Sequence, residues 1–170
     1  MFSLTRKTDY ALVALAALAK SATESAPPVS ARTVAETYTL PLPQMMNIFK
    51  DLQRAGLVLS SRGVRGGYRL SEQPEAIGLL RVIEAIEGPV RLSACCDDEG
   101  DEPCVGCSVI DRCPVTSGTR RVNELMISFL GRITLRDLME SKIDVPLEML
   151  GPARNGSSPA DPQTAVKEPI

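Results

Sequence analysis

PLPQMMNIFKDLQRAGLVLSSRGVRGGYRL, residues 41–70, decides the fold. Pro43 suits the first turn of a helix, where its missing N–H is harmless. Met45, Ile48, Phe49 and Leu52 recur at steps of 3, 1 and 3, which makes one apolar face. Gln44, Asn47, Lys50, Asp51 and Arg54 fall on the other side. Gly56 is a natural helix stop. Residues 57–60 are strand-like, 61–67 form a glycine-rich basic turn, and 68–70 return with alternating character. Two short strands around such a turn predict a hairpin.

Upstream, Ser30 caps a second helix that runs through Arg32, Val34, Ala35 and Glu36 to near Tyr38. Residues 39–43 make a turn and residues 21–28 a loop punctuated by Pro27-Pro28. The first helix is expected to start at Thr8 as its cap, with Asp9 at the positive end of the dipole. Helix, short helix, turn, helix, hairpin is the order of a winged helix-turn-helix. Downstream, a fourth helix is expected over about 76–86, with Leu79, Leu80, Val82, Ile83 and Ile86 apolar and Gly88-Pro89 ending it. After Cys113-Pro114 a long helix runs to about Gly131. Its stripe of Val115, Val122, Leu125, Met126, Phe129 and Leu130 suits a dimer seam. Residues 133–135 open a short helix through Met139, and a disordered tail is expected from Gly151. There is no internal repeat.

The expected fold is therefore mainly α with a small β-wing: a winged helix-turn-helix plus a long dimerisation helix. Its expected divisions are a DNA-binding domain at 1–90, a cysteine loop at 91–114, the dimerisation and short helices at 115–150, and the tail at 151–170.

The 170 residues are 44% hydrophobic, enough for one domain with a core. No run of about 18 apolar residues occurs, and the longest, residues 10–19, lacks a leader-peptide layout, so a cytoplasmic protein is expected. The net charge of −2 hides an asymmetry: residues 1–70 hold nine Lys/Arg against four Asp/Glu, and the rest is acidic. A basic first half suits a polyanionic partner. The chain has no His, which excludes Ser–His, Cys–His and His-ligated zinc sites. With no convergent acid–base constellation, it is not expected to be an enzyme. It has no Trp and few aromatic residues, which argues against stacking single-stranded bases.

In a helix-turn-helix the second helix enters the major groove. Gln44 and Asn47 share a face and carry amides that pair with adenine, while Lys50 and Arg54 suit phosphate. Arg62 and Arg65 arm the wing, and Arg reads a narrow minor groove. Singly, Gln44, Asn47 and Lys50 also describe a solvated helix face. The order of all the elements, together with the basic charge, favours double-stranded DNA.

All five cysteines, Cys95, Cys96, Cys104, Cys107 and Cys113, lie within 19 residues that also hold six acidic side chains and one Arg. Clustered thiols without an export signal read as metal or redox chemistry. Only Cys104–Cys107 has the Cys-x-x-Cys knuckle of structural zinc. Iron–sulfur clusters tolerate irregular spacing, and a Cys-Pro ending suits a cluster loop. Zinc and a metal-free dithiol sensor remain open. Nearby acidity raises thiol pKa values, which favours a metallated site over a bare thiol switch.

Three stretches carry a family resemblance. These are residues 4–12 (LTRKTDYAL), Gly56-Leu57-Val58 with the wing at 61–70 (SRGVRGGYRL), and the ending Cys107, five residues, Cys113. The chain resembles the Rrf-type winged-helix regulators, the group that includes IscR, NsrR and RirA, over about residues 2–145. It looks most similar to the branch linked to the Suf cluster-assembly system. The resemblance implies a homodimer on a palindromic operator, one iron–sulfur cluster per subunit, and control of cluster-assembly genes. It matches Cys95, Cys107 and Cys113 to the family's three ligating cysteines. Asp9 matches the Asp that, in the nitric-oxide-sensing branch, reaches the cluster from the partner subunit. The loop is longer than usual, and Cys96 and Cys104 are additional candidate ligands. Pro43 and Met46 stand where the iron-regulator branch has polar or acidic base readers, so no operator sequence carries over.

The expected function is a transcription regulator whose DNA affinity depends on cluster status: iron, oxygen or nitric oxide. The alternatives are a winged-helix regulator with a zinc or thiol redox site, and a cluster carrier that does not bind DNA.

Overall fold

The computed structural model describes residues 4–22, 27–63, 66–96, 108–141 and 143. Its elements are α1 (Arg6–Lys20), α2 (Ala31–Thr37), α3 (Leu42–Arg54), β1 (Val58–Ser61), β2 (Gly67–Leu70), α4 (Leu79–Glu87), α5 (Thr116–Arg132) and α6 (Leu135–Glu140). Single turns of 3-10 helix lie at Ala94–Cys96 and Ile110–Arg112. The architecture is mainly α with a two-stranded wing, as the sequence predicts. Arg65, Cys104, Cys107 and the expected tail at 151–170 lie outside the described residues.

The four apolar positions of α3 are buried together against Ala11, Leu15 and Leu18 of α1 and Val34 of α2. Ser30 caps α2 by accepting from the Thr33 N–H at 3.0 Å. Thr39, at φ 54°, turns the chain between α2 and α3. Gly56, at φ 71°, lets the chain leave α3 in a left-handed conformation that a side chain would strain.

The wing pairs antiparallel, Val58 opposite Leu70 and Ser61 opposite Gly67. Val29 adds a third rung by exchanging two backbone hydrogen bonds with Tyr68, of 3.0 and 2.8 Å. A Cβ at Gly67 would stand 2.7 Å from the Val29 backbone, so only glycine lets the two segments approach. The Tyr68 ring stacks on Phe49 with centroids 4.2 Å apart, which ties the wing to α3.

Two helix starts differ from expectation. The cap of α1 is Thr5, whose side chain accepts from the Thr8 N–H; Thr8 itself is buried inside the helix. The Thr8 hydroxyl donates instead to Glu87 Oε1, which also accepts from the Thr5 N–H at 2.9 Å. The last residue of α4 therefore anchors the first turn of α1. The start of α4 is Leu79, three residues later than the pattern predicts. The preceding backbone is used elsewhere: Leu135 N–H donates to the Ile77 carbonyl and Leu79 N–H to the Ile133 carbonyl, both at 2.8 Å. This pairing folds the end of α5 and the start of α6 back onto α4. The start of α6 is set by a reciprocal capping box between Thr134 and Asp137.

The Thr8 hydroxyl, and next the Thr5 amide, hold the Glu87 carboxyl below its ordinary 4.5. A depressed carboxylate stabilises the fold above its unfolded value and loses that contribution as pH falls through its folded value. Glu87→Gln is therefore expected to lower Tm slightly at neutral pH. The gap to the parent should close as the pH falls below the carboxylate range, and an undiminished gap near about pH 3 would contradict the contact.

The apolar stripe of α5 divides. Leu130 is buried, and Met126 and Phe129 pack beside it against Leu79 and Ile83 of α4. Val115, Val122 and Leu125 stay 61%, 52% and 40% exposed. Half of the expected seam is thus spent within the chain, and the other half is open.

Candidate nucleic-acid interface and cysteine centre

The solvent side of α3 presents Gln44, Met46, Asn47, Lys50 and Arg54, all exposed. Asp51 on the same helix pairs with Arg54 at 2.9 Å and with Lys7 of α1 at 2.8 Å. Exposed pairs of this kind contribute little to stability, so Arg54 can exchange its carboxylate for a phosphate at small cost. Arg62 is exposed at the end of β1.

An open groove of about 500 Å³ runs between the start of α2, the start of α3 and the wing. Ser30, Arg32, Leu42, Met46, Arg62 and Tyr68 are among its lining residues. Arg32 lines this groove and is a residue that sequence reasoning left unassigned. Nothing local marks it, because the groove forms only once the wing pairs with Val29, just ahead of α2. The groove is lined by Arg32 from α2, Arg62 beside the wing and the apolar Met46 from α3. That suits a phosphate backbone flanking an apolar base edge such as the thymine methyl.

The cysteine segment is fixed to α5 at several points. Leu92 N–H donates to Asn123 Oδ1 at 2.8 Å, and Asn123 is only 4% exposed. Arg120 Nε donates to the Cys95 carbonyl at 2.8 Å. The Cys96 thiol points to the Thr119 carbonyl at 3.9 Å and is 6% exposed. Cys95 is partly exposed, with its sulfur 2.9 Å from Ser93 Oγ. Asn123 is another contributor the sequence did not reveal: a lone Asn in a helix carries no signal until its partner, 31 residues away, is known.

Cys113 enters the same helix from its N-terminal side and is partly exposed. Its thiol lies below the ordinary value, first through the Thr116 hydroxyl and then through the Val115 and Thr116 amides. The expectation that acidic neighbours raise the thiol values fails at Cys113, where the Thr116 hydroxyl first, and then the Val115 and Thr116 amides, hold the thiol low.

Cys95, Cys96 and Cys113 are free thiols. Among the described residues no three His, Cys, Asp or Glu side chains form a metal-holding group, so Cys95, Cys113 and Asp9 do not assemble one within a single chain. Asp9 is exposed on the first turn of α1. No described helix is long and apolar enough to cross a membrane.

A family model described as Rrf2, iron-dependent transcriptional regulator, matches residues 4–141. The HTH-type transcriptional regulator IscR of Aliivibrio salmonicida is 35% identical over 136 residues, which cover 80% of this chain and 76% of that protein. Among solved structures, CymR of B. subtilis, described as the global cysteine regulator, aligns with a TM-score of 0.62 at 28% identity, over 84% of this chain and 100% of that one. IscR of T. potens aligns with a TM-score of 0.59 at 26% identity, over 86% of this chain and 96% of that one.

Proposed function

The chain belongs to the Rrf2 family of transcriptional regulators, and from that premise we propose that it binds a palindromic operator as a homodimer and that a cysteine-held iron–sulfur cluster sets its affinity. One observation supports the cluster most directly. Cys95 and Cys113, at opposite ends of the cysteine segment, are both tied to the N-terminal half of α5. The donor set suits such a group: soft thiols, one of them held low by the Thr116 hydroxyl and the Val115 and Thr116 amides. Cys95, Cys107 and Cys113 would hold it. Cys104 is the better fourth cysteine, because Cys96 is packed against α5; Asp9 from a second copy of the chain is the non-cysteine choice. A bound cluster would supply iron that oxygen, nitric oxide or iron shortage removes.

The remaining steps belong to the chain's own residues. Holding the two ends of residues 95–113 fixes the cysteine loop between residues 1–90, read as the DNA-binding unit, and the helices of residues 115–150. The exposed Val115, Val122 and Leu125 meet their copies across the dimer axis. Release of the loop shifts the population between two dimer geometries, and so the spacing of the two α3 helices on half-sites roughly 34–36 Å apart. Gln44 and Asn47 read base edges, Lys50 and Arg54 hold phosphates, and Arg62 and Arg65 carry the wing into the minor groove. The protein works in the cytoplasm, and cluster-assembly genes are the expected targets.

A second reading is favoured by the likeness to CymR and by the free thiols: a DNA-binding dimer governed by thiol or zinc chemistry. Metal content separates the two.

The DNA-binding part is tested by selecting bound duplexes from a random pool and measuring Kd against salt. Lys50→Ala and Arg62→Ala are each expected to weaken all bound sequences about equally and to lower the salt slope by about 1. Asn47→Ala is expected to relax specificity at one position at a cost of about 1–3 kcal/mol. A full-length chain that selects no duplex, or whose salt slope ignores Lys50 and Arg62, contradicts the assignment.

A further inference from the structure

We infer that Asn123 is the positioning residue of the cysteine centre, holding the Cys95 segment on α5 before any metal is bound; the inference rests on the cluster reading above. Asn123 is buried in the N-terminal half of α5, on the stripe whose later members, Met126 and Leu130, pack on α4. Its side-chain oxygen accepts the Leu92 N–H, three residues before Cys95. Arg120, one turn away, takes the Cys95 carbonyl, and Thr119 takes the Cys96 thiol. The Arg120 side chain is exposed, whereas Asn123 is 4% exposed, and a buried acceptor left without its donor is costly.

The consequence concerns loop closure. A metal centre built from both ends of an irregular loop must bring those ends together, and the entropy of doing so opposes binding. Here both ends already lie on one helix: Cys113 runs directly into its first turn, and Cys95 is pinned through Asn123. The same pin limits how far the Cys95 segment can move away from α5. Asn123 therefore touches no ligand atom, yet limits how fast the centre is lost. It also couples that loss to α5, the helix that carries the open apolar half-stripe.

Two variants separate positioning from packing. Asn123→Leu keeps the volume and removes the acceptor; Asn123→Asp keeps an oxygen in the same place. Loss of an outer-shell partner typically costs 10–100-fold in metal affinity. The expected result is that Asn123→Leu loses its visible absorption about 10–100-fold faster in air than the parent, while Asn123→Asp stays within a few fold. The second readout is hydrogen exchange of the Leu92 amide in the metal-free full chain. It should be protected in the parent and in Asn123→Asp, and exposed in Asn123→Leu. Equal cluster lifetimes in all three proteins overturn the inference, as does an unprotected Leu92 in the parent. Equal loss in both variants assigns Asn123 to packing alone and overturns it too. A parent that takes up no iron and sulfide while Leu92 remains protected overturns the cluster reading, and with it the role of the pin toward a cluster.

Discussion

Cys113→Ser is expected to leave a folded chain that no longer retains an iron–sulfur cluster. The side chain keeps nearly the same size, and its surroundings offer the same donors: the Thr116 hydroxyl and the Val115 and Thr116 amides. What changes is the charge and softness of the donor atom. Those groups stabilise a thiolate, which is the form that ligates metal. A serine hydroxyl in the same place stays protonated at neutral pH and is a hard, weak donor to iron. Because Cys113 is partly exposed and outside the core, far-ultraviolet circular dichroism and Tm should move little. The visible absorption of the anaerobically reconstituted protein should fall to near baseline. Cys96→Ser is the contrast. Its sulfur is buried against α5, so it should retain the cluster and lose some stability. Full absorption in Cys113→Ser, or total loss in Cys96→Ser alone, would reverse the assignment of the two thiols.

Phe49→Ala is expected to cost about 3–5 kcal/mol, the range for removing a fully enclosed aromatic side chain. Phe49 is completely enclosed within the cluster that joins α1, α2 and α3, and its other face carries the Tyr68 ring of the wing. Its loss leaves a cavity where three helices and the hairpin meet. A domain of this size has a total stability of about 5–15 kcal/mol, so about a fifth or more would disappear with one residue. DNA binding should weaken beyond the loss of folded protein, because the ring fixes the wing relative to α3. Urea unfolding of the two proteins, followed by circular dichroism, gives the difference in free energy. A cost below about 1 kcal/mol would mean that the ring is not the joint between recognition helix and wing.

The parts of the fold that could be read from the sequence are those whose cause is local. The steps between Met45, Ile48, Phe49 and Leu52 predict a buried face, and all four are buried. Glycines at 63, 66 and 67 predict a tight hairpin, and Gly67 proves to be where Val29 crosses within van der Waals distance. The departures have distant causes. Thr5 and Thr8 are equally good caps by residue type, and Glu87, 79 positions from Thr8, decides between them. Ile77 and Gly78 look helical until residues 133–135 claim their backbone. The α5 stripe reads as one seam because periodicity cannot say that a helix has two neighbours, one of them its own chain.

At the candidate site the division is similar. The exposure of Gln44, Asn47, Lys50 and Arg62 is readable from position and type, since a helix-turn-helix exposes those places by construction. The surroundings of Arg32 and Asn123 are not, because each is set by a segment distant in the sequence. Among the cysteines, spacing alone did not separate Cys95 from Cys96. Burial does: one side chain stays accessible at the segment's end, and the other is spent on packing against Thr119.

The central claim, that the cysteines hold an iron–sulfur cluster, is tested most directly by iron and acid-labile sulfide per chain in the full-length protein purified without oxygen. The account predicts near-equal iron and sulfide, with broad visible absorption bands. A colourless protein that stays free of iron after anaerobic reconstitution would contradict it, and would leave a DNA-binding regulator whose thiols hold zinc or act by oxidation.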